Sequence, residues 1–317
     1  MTRWFFLGLF LLSGCEVQAL DYSSWEFLDS QQRIRTAEDV EEVRAEMVEL
    51  VFGGAMPTRY PDDVEFVLDP AFRAHLVQKI TVETDDLTSF PYLIHPSSWN
   101  GALAIYHQGH AGDFRDYGAD TIHGLLDAGY QVLAFSMPMQ GMNSHPFESD
   151  EHRMLSDRPH PLRYFAEPVI VALNWADATF VYSRRIMVGL SGGGWTTVVV
   201  SGIDERIDAS YPVAGSWPHY LRDRFGYFGC YEERITPSYL ELYLMATYPG
   251  REQAQFFNEF DSCCFGGLYA YDYLSYVSYL ANEWEGRFQI VLDHGEFEHV
   301  ISRYTLEEIL EIERAGR

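Results

Sequence analysis

The sequence predicts an α/β fold in which a mostly parallel sheet carries helices on both faces. From Leu103 onwards, short apolar runs typical of buried strands alternate with longer runs typical of helices, and this alternation is characteristic of parallel sheets. The chain has 317 residues and is 47% hydrophobic, which is enough to bury a large core. A glycine-flanked serine, Ser191, lies where one strand pattern meets a helix pattern. Reactive groups are therefore expected at the carboxyl ends of the strands.

The first predicted elements precede this alternation. Within an N-terminal helical extension, 20–74, a helix is predicted to start near Thr36 and to stop at Gly53-Gly54, because apolar residues recur at helical spacing between them. Strands are then predicted over Leu76–Val82 and Phe90–Ile94, around a hairpin turn at Asp85-Asp86. The sheet should therefore open with an antiparallel hairpin.

The remaining elements form one domain, 75–317. Strands are predicted over Leu103–Tyr106, Gln131–Phe135, Arg185–Leu190, Ala209–Val213, Gln255–Phe260 and Phe288–Leu292. Helices are predicted over Tyr117–Ala128, Phe165–Phe180, Gly194–Ile203, about Leu268–Trp284 and Ile301–Arg314.

An aromatic-rich segment, about 216–250, interrupts the alternation. We interpret it as a cap inserted after the strand that follows the helix of Ser191. Its rings could wall a ligand pocket, or they could form the packing of the cap itself. The rings are Trp217, Tyr220, Phe225, Tyr227, Phe228, Tyr231, Tyr239 and Tyr243.

The overall charge argues against nucleic acid as a partner. The chain carries 47 acidic and 22 basic residues, a formal net charge of −25, whereas nucleic acids and anionic lipid headgroups require basic side chains. The oligomeric state is left open by the sequence.

The N-terminus predicts an exported protein. Arg3 is followed by an apolar run, Trp4–Leu12, and by small residues that fit a signal peptide over residues 1–19. Nine apolar residues are too few for a spanning helix, which needs about 20. The Leu12-Ser13-Gly14-Cys15 segment resembles the lipobox of bacterial lipoproteins, so Cys15 would carry the lipid and anchor the protein in the periplasm or outer membrane. The alternatives are plain secretion, with cleavage after Ala19, and a buried segment of the mature fold.

Three further cysteines, Cys230, Cys263 and Cys264, would meet oxidising conditions after export. We expect Cys230 to bridge to Cys263 or Cys264, which would contribute about 3 to 4 kcal/mol by closing a loop. The alternative is that all three are small buried apolar residues.

The Gly-Leu-Ser-Gly-Gly segment at 189–193 predicts a nucleophile. A strand that turns sharply into a helix through a serine needs small neighbours on both sides, and Gly189 and Gly193 provide them. Such a turn would lift the Ser191 hydroxyl clear of the sheet. It would also leave the Gly192 amide facing any negative charge that develops beside the serine.

A serine nucleophile needs a base, and the base needs an acid that fixes its tautomer. His299 is the candidate base, since it follows the last core strand by a short loop, and His294 is the second candidate. Asp261 is the candidate acid, because it directly follows the predicted strand Gln255–Phe260. The other acids considered are Glu259, Asp272, Glu296 and Glu298.

The order of these residues, Ser191, Asp261 and His299, on alternating strands and helices resembles the α/β-hydrolase superfamily over about residues 75–317. The elbow is similar to those of dienelactone-hydrolase-like enzymes, acetyl-xylan and feruloyl esterases and polyester depolymerases. The resemblance implies a serine esterase that cleaves a small-molecule or polymer-attached ester through an acyl-enzyme. No cofactor and no metal are expected.

Two loops extend this resemblance. The segment from Tyr106 to Gly112 resembles the His-Gly loop that donates the second oxyanion amide, but Gln108 replaces the usual glycine, so Gly109 and His110 are alternative donors. The segment 136–143 resembles the Asp-x-Pro-Gly loop of the superfamily, with Ser136 in place of the acid. The side chains of His107 and His110 could be metal ligands, although a structural role is favoured.

Two other classes of function stay open. A metal-dependent hydrolase could use Asp293, His294, Glu296, Glu298 and His299. However, the two histidines are five residues apart, whereas one helix face favours a separation of four. A lipid-anchored binding protein could keep the fold without activity.

Overall fold

The computed structural model describes residues 21–110, 112–143, 151–227 and 229–316. The predicted signal peptide with Cys15 lies outside these residues, as do Ala111 and Phe228. The strands are β1 Asp63–Val67, β2 Val77–Thr84, β3 Leu87–Ser89, β4 Tyr92–Ile94, β5 Ala102–His107, β6 Gln131–Phe135, β7 Arg184–Leu190, β8 Ala209–Val213, β9 Glu252–Asn258 and β10 Arg287–Asp293. The helices are α1 Trp25–Ser30, α2 Ala37–Phe52, α3 Ala119–Asp127, α4 Arg163–Thr179, α5 Gly192–Ile203, α6 His219–Phe225, α7 Tyr231–Ile235, α8 Tyr239–Thr247, α9 Tyr271–Asn282 and α10 Arg303–Ala315.

These strands form one sheet in the order β1-β2-β4-β6-β5-β7-β8-β9-β10, with β3 paired to β2. The strands from β6 to β10 along this order pair in parallel. The pairs among β1, β2, β3 and β4, and the pair between β4 and β6, are antiparallel. The prediction of a mostly parallel sheet that opens with an antiparallel hairpin is confirmed, and Thr84 pairs with Leu87 across the hairpin turn.

Helices cover both faces of the sheet, as predicted, and β5 shows why. Its side chains alternate between the faces. Leu103 and Ile105 join the core formed with α2, α4, α5, α8 and α9, whereas Ala104 and Tyr106 join the core formed with α3 and α10. Both sides of the central strands are therefore buried, which explains why these strands read as continuous apolar runs.

The N-terminal helix α2 follows its predicted caps. Thr36 and Asp39 form a reciprocal capping box at its start, and Gly53 adopts a left-handed conformation, with φ of 69°, at its end. Its buried residues include Val40, Val43 and Met47. The helix therefore packs against the sheet domain as expected.

Three strands differ markedly from the prediction. No strand was predicted over β3, which directly follows the hairpin turn at Asp85-Asp86. The sequence analysis missed β1, an edge strand whose residues are mostly exposed and partly charged, so it lacks an apolar pattern. β9 ends at Asn258 rather than at Phe260. The backbone N–H of Asp261 donates to the carbonyl of Asn258, at 3.2 Å, so Asp261 lies in a turn three residues beyond the strand.

The aromatic segment 216–250 contains α6, α7 and α8. Every residue of α8 is buried, and this helix packs against α5 on the connection between β8 and β9. In contrast, α7 contacts the short 3-10 turn Glu151–Leu155. Helix α8 therefore belongs to the core beside the sheet, whereas α7 lies against the 3-10 turn.

None of the helices in the described parts of the chain combines the length and apolar character needed to cross a membrane.

Candidate active site

Ser191 occupies the sharp turn between β7 and α5. Its backbone has φ of 56° and ψ of −123°, a conformation that costs a residue with a side chain of order 1 to 3 kcal/mol and is frequent at functional sites. The turn is held by two hydrogen bonds. The N–H of Ser191 donates to the carbonyl of Val213 at 2.9 Å, and the N–H of Trp195 donates to the carbonyl of Ser191 at 2.9 Å.

The two glycines predicted to make room for this turn are tightly enclosed. A Cβ atom on Gly189 would lie 2.2 Å from the carbonyl oxygen of Gly193. A Cβ atom on Gly193 would lie 2.0 Å from the carbonyl oxygen of His107. Because both obstacles are backbone atoms, no side-chain movement could relieve the clash, and only glycine fits.

His299 and Asp261 form a hydrogen-bonded pair. The Nδ1 atom of His299 lies 2.8 Å from Oδ2 of Asp261, whose side chain is buried. The other carboxylate oxygen of Asp261 accepts the N–H groups of Cys263, at 2.8 Å, and Cys264, at 3.1 Å. Since the carboxylate only accepts, Nδ1 of His299 carries the proton. The Nε2 atom of His299 is then left with a lone pair, and it has no hydrogen-bond partner among the described residues.

Ser191 and His299 line one cavity of about 520 Å³ at the carboxyl edge of the sheet. Gly109 and His110 also line it. The loop after β5, the nucleophile turn and the loop after β10 are therefore gathered around one space, as the sequence analysis expected for strand ends.

The loop after β5 lies directly against the nucleophile turn. A Cβ atom on Gly109 would lie 2.6 Å from the carbonyl oxygen of Leu190 and 2.7 Å from Cβ of Ser191. A Cβ atom on Gly192 would lie 2.5 Å from Nδ1 of His110. Gly109 and His110, which the sequence predicts as alternative donors of an oxyanion amide, thus lie against Ser191 and Gly192 respectively.

Two residues that the sequence analysis missed, Glu232 and His152, contact the His110 side chain. Oε1 of Glu232 lies 2.6 Å from Nε2 of His110 and 3.2 Å from Nδ1 of His152. Burial lowers the pKa of His110, but hydrogen bonds with Cys230 and Glu232 raise it to about 10. No local motif marks these residues, because α7 and the loop after β5 are more than a hundred residues apart in the chain.

The other sequence candidates have different partners. His294 is exposed, and its Nδ1 lies 2.6 Å from Oε2 of Glu259. Asp272 lies in α9 and pairs with Arg224 at 3.2 Å. Two backbone N–H groups of its own loop donate to the Glu296 side chain, and the Glu298 carbonyl accepts from the Asn258 side chain.

The predicted bridge from Cys230 is wrong. Cys263 and Cys264 form a disulfide with each other, and Cys230 is a free thiol. The reason is their placement, since Cys230 lies at the start of α7 with its sulfur 3.9 Å from Nδ1 of His110. The predicted stabilisation from closing a long loop therefore does not apply, and the alternative of three unpaired buried cysteines does not hold either.

The metal-binding set considered from the sequence does not assemble in the described part of the chain. Asp293 accepts hydrogen bonds from Ser302, at 2.5 Å, and from the N–H of Gly295, at 2.9 Å. Two other groups bring suitable ligand atoms together. They are His110 with Cys230 and Glu232, and His299 with Cys263 and Cys264. In the second group, the sulfur atoms are already joined to each other.

No protein-family model and no curated protein matches the sequence. Solved structures do match the fold. A methylesterase, BT1017, superposes with a TM-score of 0.69 at 17% identity, and the match covers 90% of this chain and 66% of that chain. An acetyl xylan esterase from Paenibacillus sp. R4 gives 0.58 at 16% identity, covering 90% and 97%. An esterase from Pyrococcus furiosus gives 0.55 at 14% identity, covering 81% and 99%.

These neighbours define the class of fold. The methylesterase and the acetyl xylan esterase are α/β-hydrolases, and the match with each of them covers 90% of this chain. The chain therefore has the α/β-hydrolase fold, as the resemblance implied. The chain spans 66% of the length of the methylesterase.

Proposed function

We propose that this protein is a serine esterase that hydrolyses a carboxylic ester through an acyl-enzyme on Ser191. The observation that carries the proposal is the cavity lined by both Ser191 and His299, together with the bond from His299 to Asp261. The names of the structural neighbours, a methylesterase and an acetyl xylan esterase, support ester hydrolysis as the reaction class.

In the proposed mechanism, the Ser191 hydroxyl attacks the ester carbonyl and His299 accepts its proton at Nε2. Asp261 holds Nδ1 of His299 and stabilises the imidazolium that forms. His299 then returns the proton to the departing alcohol. Water attacks the acyl-enzyme by the same path in reverse, which frees the acid and restores Ser191.

The oxyanion would be bound by backbone amides. The first is the N–H of Gly192 at the start of α5, where the helix dipole also favours negative charge. The second is the N–H of Gly109 or of His110. Each such donor stabilises a transition state of this kind by about 3 to 4 kcal/mol.

The substrate is proposed as a carboxylic ester, free or attached to a polymer, with no cofactor. Two neighbours are named for methyl and acetyl esters, and on this basis we propose a short acyl or alkyl group for this chain. A panel of p-nitrophenyl esters of increasing chain length, assayed beside acetylated and methyl-esterified polysaccharides, measures this preference. A maximum on long-chain esters would contradict it.

The nucleophile is tested by covalent labelling with a fluorophosphonate. Labelling is expected on Ser191, and Ser191→Ala should abolish it and lower turnover by about a millionfold if the three residues act as a unit. Ser201→Ala is the matched control, because Ser201 is buried in the same helix and its hydroxyl donates to Val198. Near-native activity of Ser191→Ala would refute the proposal.

The same assay separates the two alternatives. Activity that disappears with a chelator, without labelling of Ser191, would indicate a metal-dependent hydrolase. Absence of both labelling and turnover would indicate a lipid-anchored binding protein.

We also propose export with a lipid on Cys15, and plain secretion is the alternative. The support is the pattern of the first nineteen residues. Labelled palmitate should be incorporated into the full chain and should be lost in Cys15→Ser. Incorporation that persists in this variant would reject the anchor.

A further inference from the structure

A buried polar cluster lies next to the turn at Ser191, and the mechanism above uses none of its side chains. It consists of His110, His152, Cys230 and Glu232. The Glu232 side chain is fully buried, and its Oε2 atom has no hydrogen-bond partner within the described residues. Burying a carboxylate costs free energy unless positive charge compensates it. We therefore ask what the buried Glu232 does beside the two imidazoles that contact Oε1.

The geometry does not favour a metal ion in this cluster. Glu232 contacts the Nε2 atom of His110, at 2.6 Å, whereas the Cys230 sulfur approaches the Nδ1 atom, at 3.9 Å. These atoms are on opposite sides of the ring, and one ring nitrogen binds one ion. Glu232 and Cys230 therefore cannot join His110 on a single ion without turning the ring.

The hydrogen bonds of His110 and His152 instead show which ring nitrogen of each histidine carries a proton. The Nε2 atom of His152 lies 2.9 Å from the carbonyl oxygen of Pro138, and Nε2 of His110 lies 2.6 Å from the Glu232 carboxylate. Both of these oxygens can only accept, so both Nε2 atoms carry protons. The Glu232 carboxylate thus holds the His110 ring in one orientation, with its Nδ1 edge turned away from Glu232.

That edge points to the residue after the nucleophile. The Nδ1 and Cε1 atoms of His110 both lie 2.5 Å from the position of a Cβ atom on Gly192, so the ring packs directly on the glycine backbone. His110 also lines the cavity that contains Ser191. A positive charge on this ring would therefore lie beside Gly192, whose N–H is proposed to bind the oxyanion.

We propose that Glu232 is a positioning residue that keeps the His110 imidazole protonated and oriented against Gly192, where its positive charge stabilises the oxyanion. This inference rests on the proposed esterase function and adds to it a role for the His110 side chain, beside that of the backbone amides. Nδ1 of His152 lies 3.1 Å from Nε2 of His110, so it can accept from the same His110 N–H that faces Glu232 and helps to fix the ring.

The charged and titratable groups around His110 come from three elements. Glu232 and Cys230 belong to α7 and the residue before it, and Glu233 follows in the same helix. His152 belongs to the 3-10 turn, and His107 ends β5. Burial lowers the pKa of His107 to about 4, so this neighbour is neutral near pH 7. Among these groups, Glu232 is the carboxylate in direct contact with the ring, at Nε2, and the Cys230 sulfur approaches Nδ1.

The first test measures kcat, KM and the pH profile for p-nitrophenyl acetate in Glu232→Gln. We expect kcat to fall about 100-fold with little change in KM, which is typical for the loss of one oxyanion interaction. His110 should then lose its proton at a lower pH than in the wild type, because one of the hydrogen bonds that raise its pKa to about 10 is gone while the lowering effect of burial remains. The alkaline limb of the profile should consequently move to lower pH.

Two further variants control this test. Glu232→Asp keeps the negative charge, so its kcat should be at least tenfold higher than that of Glu232→Gln. Glu241→Gln also removes a buried carboxylate from an ion pair in the aromatic segment, since Glu241 pairs with Arg33 at 2.9 Å, and it should leave the pH profile unchanged. A fall in kcat with an unshifted profile in Glu232→Gln would indicate a purely structural role and overturn the proposal.

A second measurement avoids dependence on the folding of variants. Ring-nitrogen NMR of the unmodified protein, with His110 assigned by its loss in His110→Gln, should show both ring nitrogens protonated at pH 8. A neutral His110 at pH 8 would overturn the inference.

If fluorophosphonate fails to label Ser191 in the unmodified protein, the esterase function itself fails. If Ser191 is labelled and Glu232→Gln keeps wild-type kcat and pH profile, only the role of Glu232 fails.

Discussion

At the level of single residues, the proposed chemistry depends on the tautomer of His299. Its Nδ1 proton is held by Asp261 at 2.8 Å, which leaves the Nε2 lone pair free to accept a proton from Ser191. Asp261 is itself held by two backbone N–H groups of the next turn. The orientation of the base is therefore set by a short, local structure rather than by the long distance between these residues in the chain.

We predict that Asp261→Asn lowers kcat by about 10⁴-fold. The amide would donate to Nδ1 of His299 and so favour the tautomer with the proton on Nε2, which cannot accept the serine proton. Steady-state hydrolysis of p-nitrophenyl acetate measures the effect. Asp272→Asn is the control, because Asp272 pairs with Arg224 in α9, and equal activity in the two variants would contradict the assignment.

Sequence reasoning could propose Ser191, Asp261 and His299 as one site because each follows a strand pattern, and strand ends meet at one edge of a parallel sheet. The same reasoning could not identify Glu232 or His152. These residues lie in a short helix and a 3-10 turn without periodic apolar patterns, and their contacts with His110 arise only when the two segments fold over the nucleophile turn.

At the level of elements, the junction of β7 and α5 is the part of the fold that tolerates least change. The backbone of α5 approaches the end of β5 so closely that the carbonyl of His107 would lie 2.0 Å from a Cβ atom on Gly193. Close approach of this kind lets the amide of Gly192 and the loop after β5 face the same point. The close packing of α5 against the end of β5 is therefore also required for the proposed oxyanion site.

We expect Gly193→Ala to lower the free energy of unfolding by about 1 to 3 kcal/mol, because the added methyl group must displace backbone atoms. It should also reduce esterase activity by moving the turn. In the control Gly295→Ala, the added atom would meet only an ordinary contact at 3.6 Å, so its stability should stay within about 0.5 kcal/mol of wild type. Chemical denaturation of both variants measures the difference, and equal stabilities would be inconsistent with the clash.

Element boundaries were predicted less well than element types. β9 was expected to run to Phe260, because a third phenylalanine follows Phe256 and Phe257 within a few residues, but the strand ends at Asn258. The chain turns earlier because the Asn258 side chain donates to the carbonyls of Glu298 and Val300. Such a contact between distant loops has no signature in the local sequence.

At the level of the whole molecule, the last helix is bonded to two interior strands of the sheet, β7 and β8. Glu313 of α10 is buried, and its carboxylate accepts from Arg184 at 2.7 Å and from the Tyr211 hydroxyl at 2.6 Å. The loop that carries His299 lies between β10 and this helix. Docking of α10 therefore helps to fix the position of the candidate base relative to β7, which leads to Ser191.

The stability of the whole fold should depend on pH through His107. Burial lowers its pKa to about 4, whereas the unfolded chain has a value of about 6.5. Between these values the unfolded state binds the proton and the folded state does not, so stability falls as the pH drops from 6.5 towards 4. In His107→Asn, which keeps a donor for the carbonyl of Gln108, this part of the dependence should disappear.

Between pH 6.5 and pH 4, the free energy of unfolding of the wild type should fall by up to about 3 kcal/mol more than that of His107→Asn. Urea denaturation at a series of pH values measures it. Parallel curves for the wild type and His107→Asn would show that His107 does not contribute.

The order of strands and helices, the two-sided burial of the sheet and the turn at Ser191 follow from local patterns, because periodicity and glycine placement act over a few residues and are written in adjacent positions. The partners of Cys230, the end of β9 and the contacts of Glu232 with His110 and His152 do not follow from such patterns. They depend on distances between segments far apart in the chain, and those distances exist only after the sheet has formed and its loops have closed over one edge.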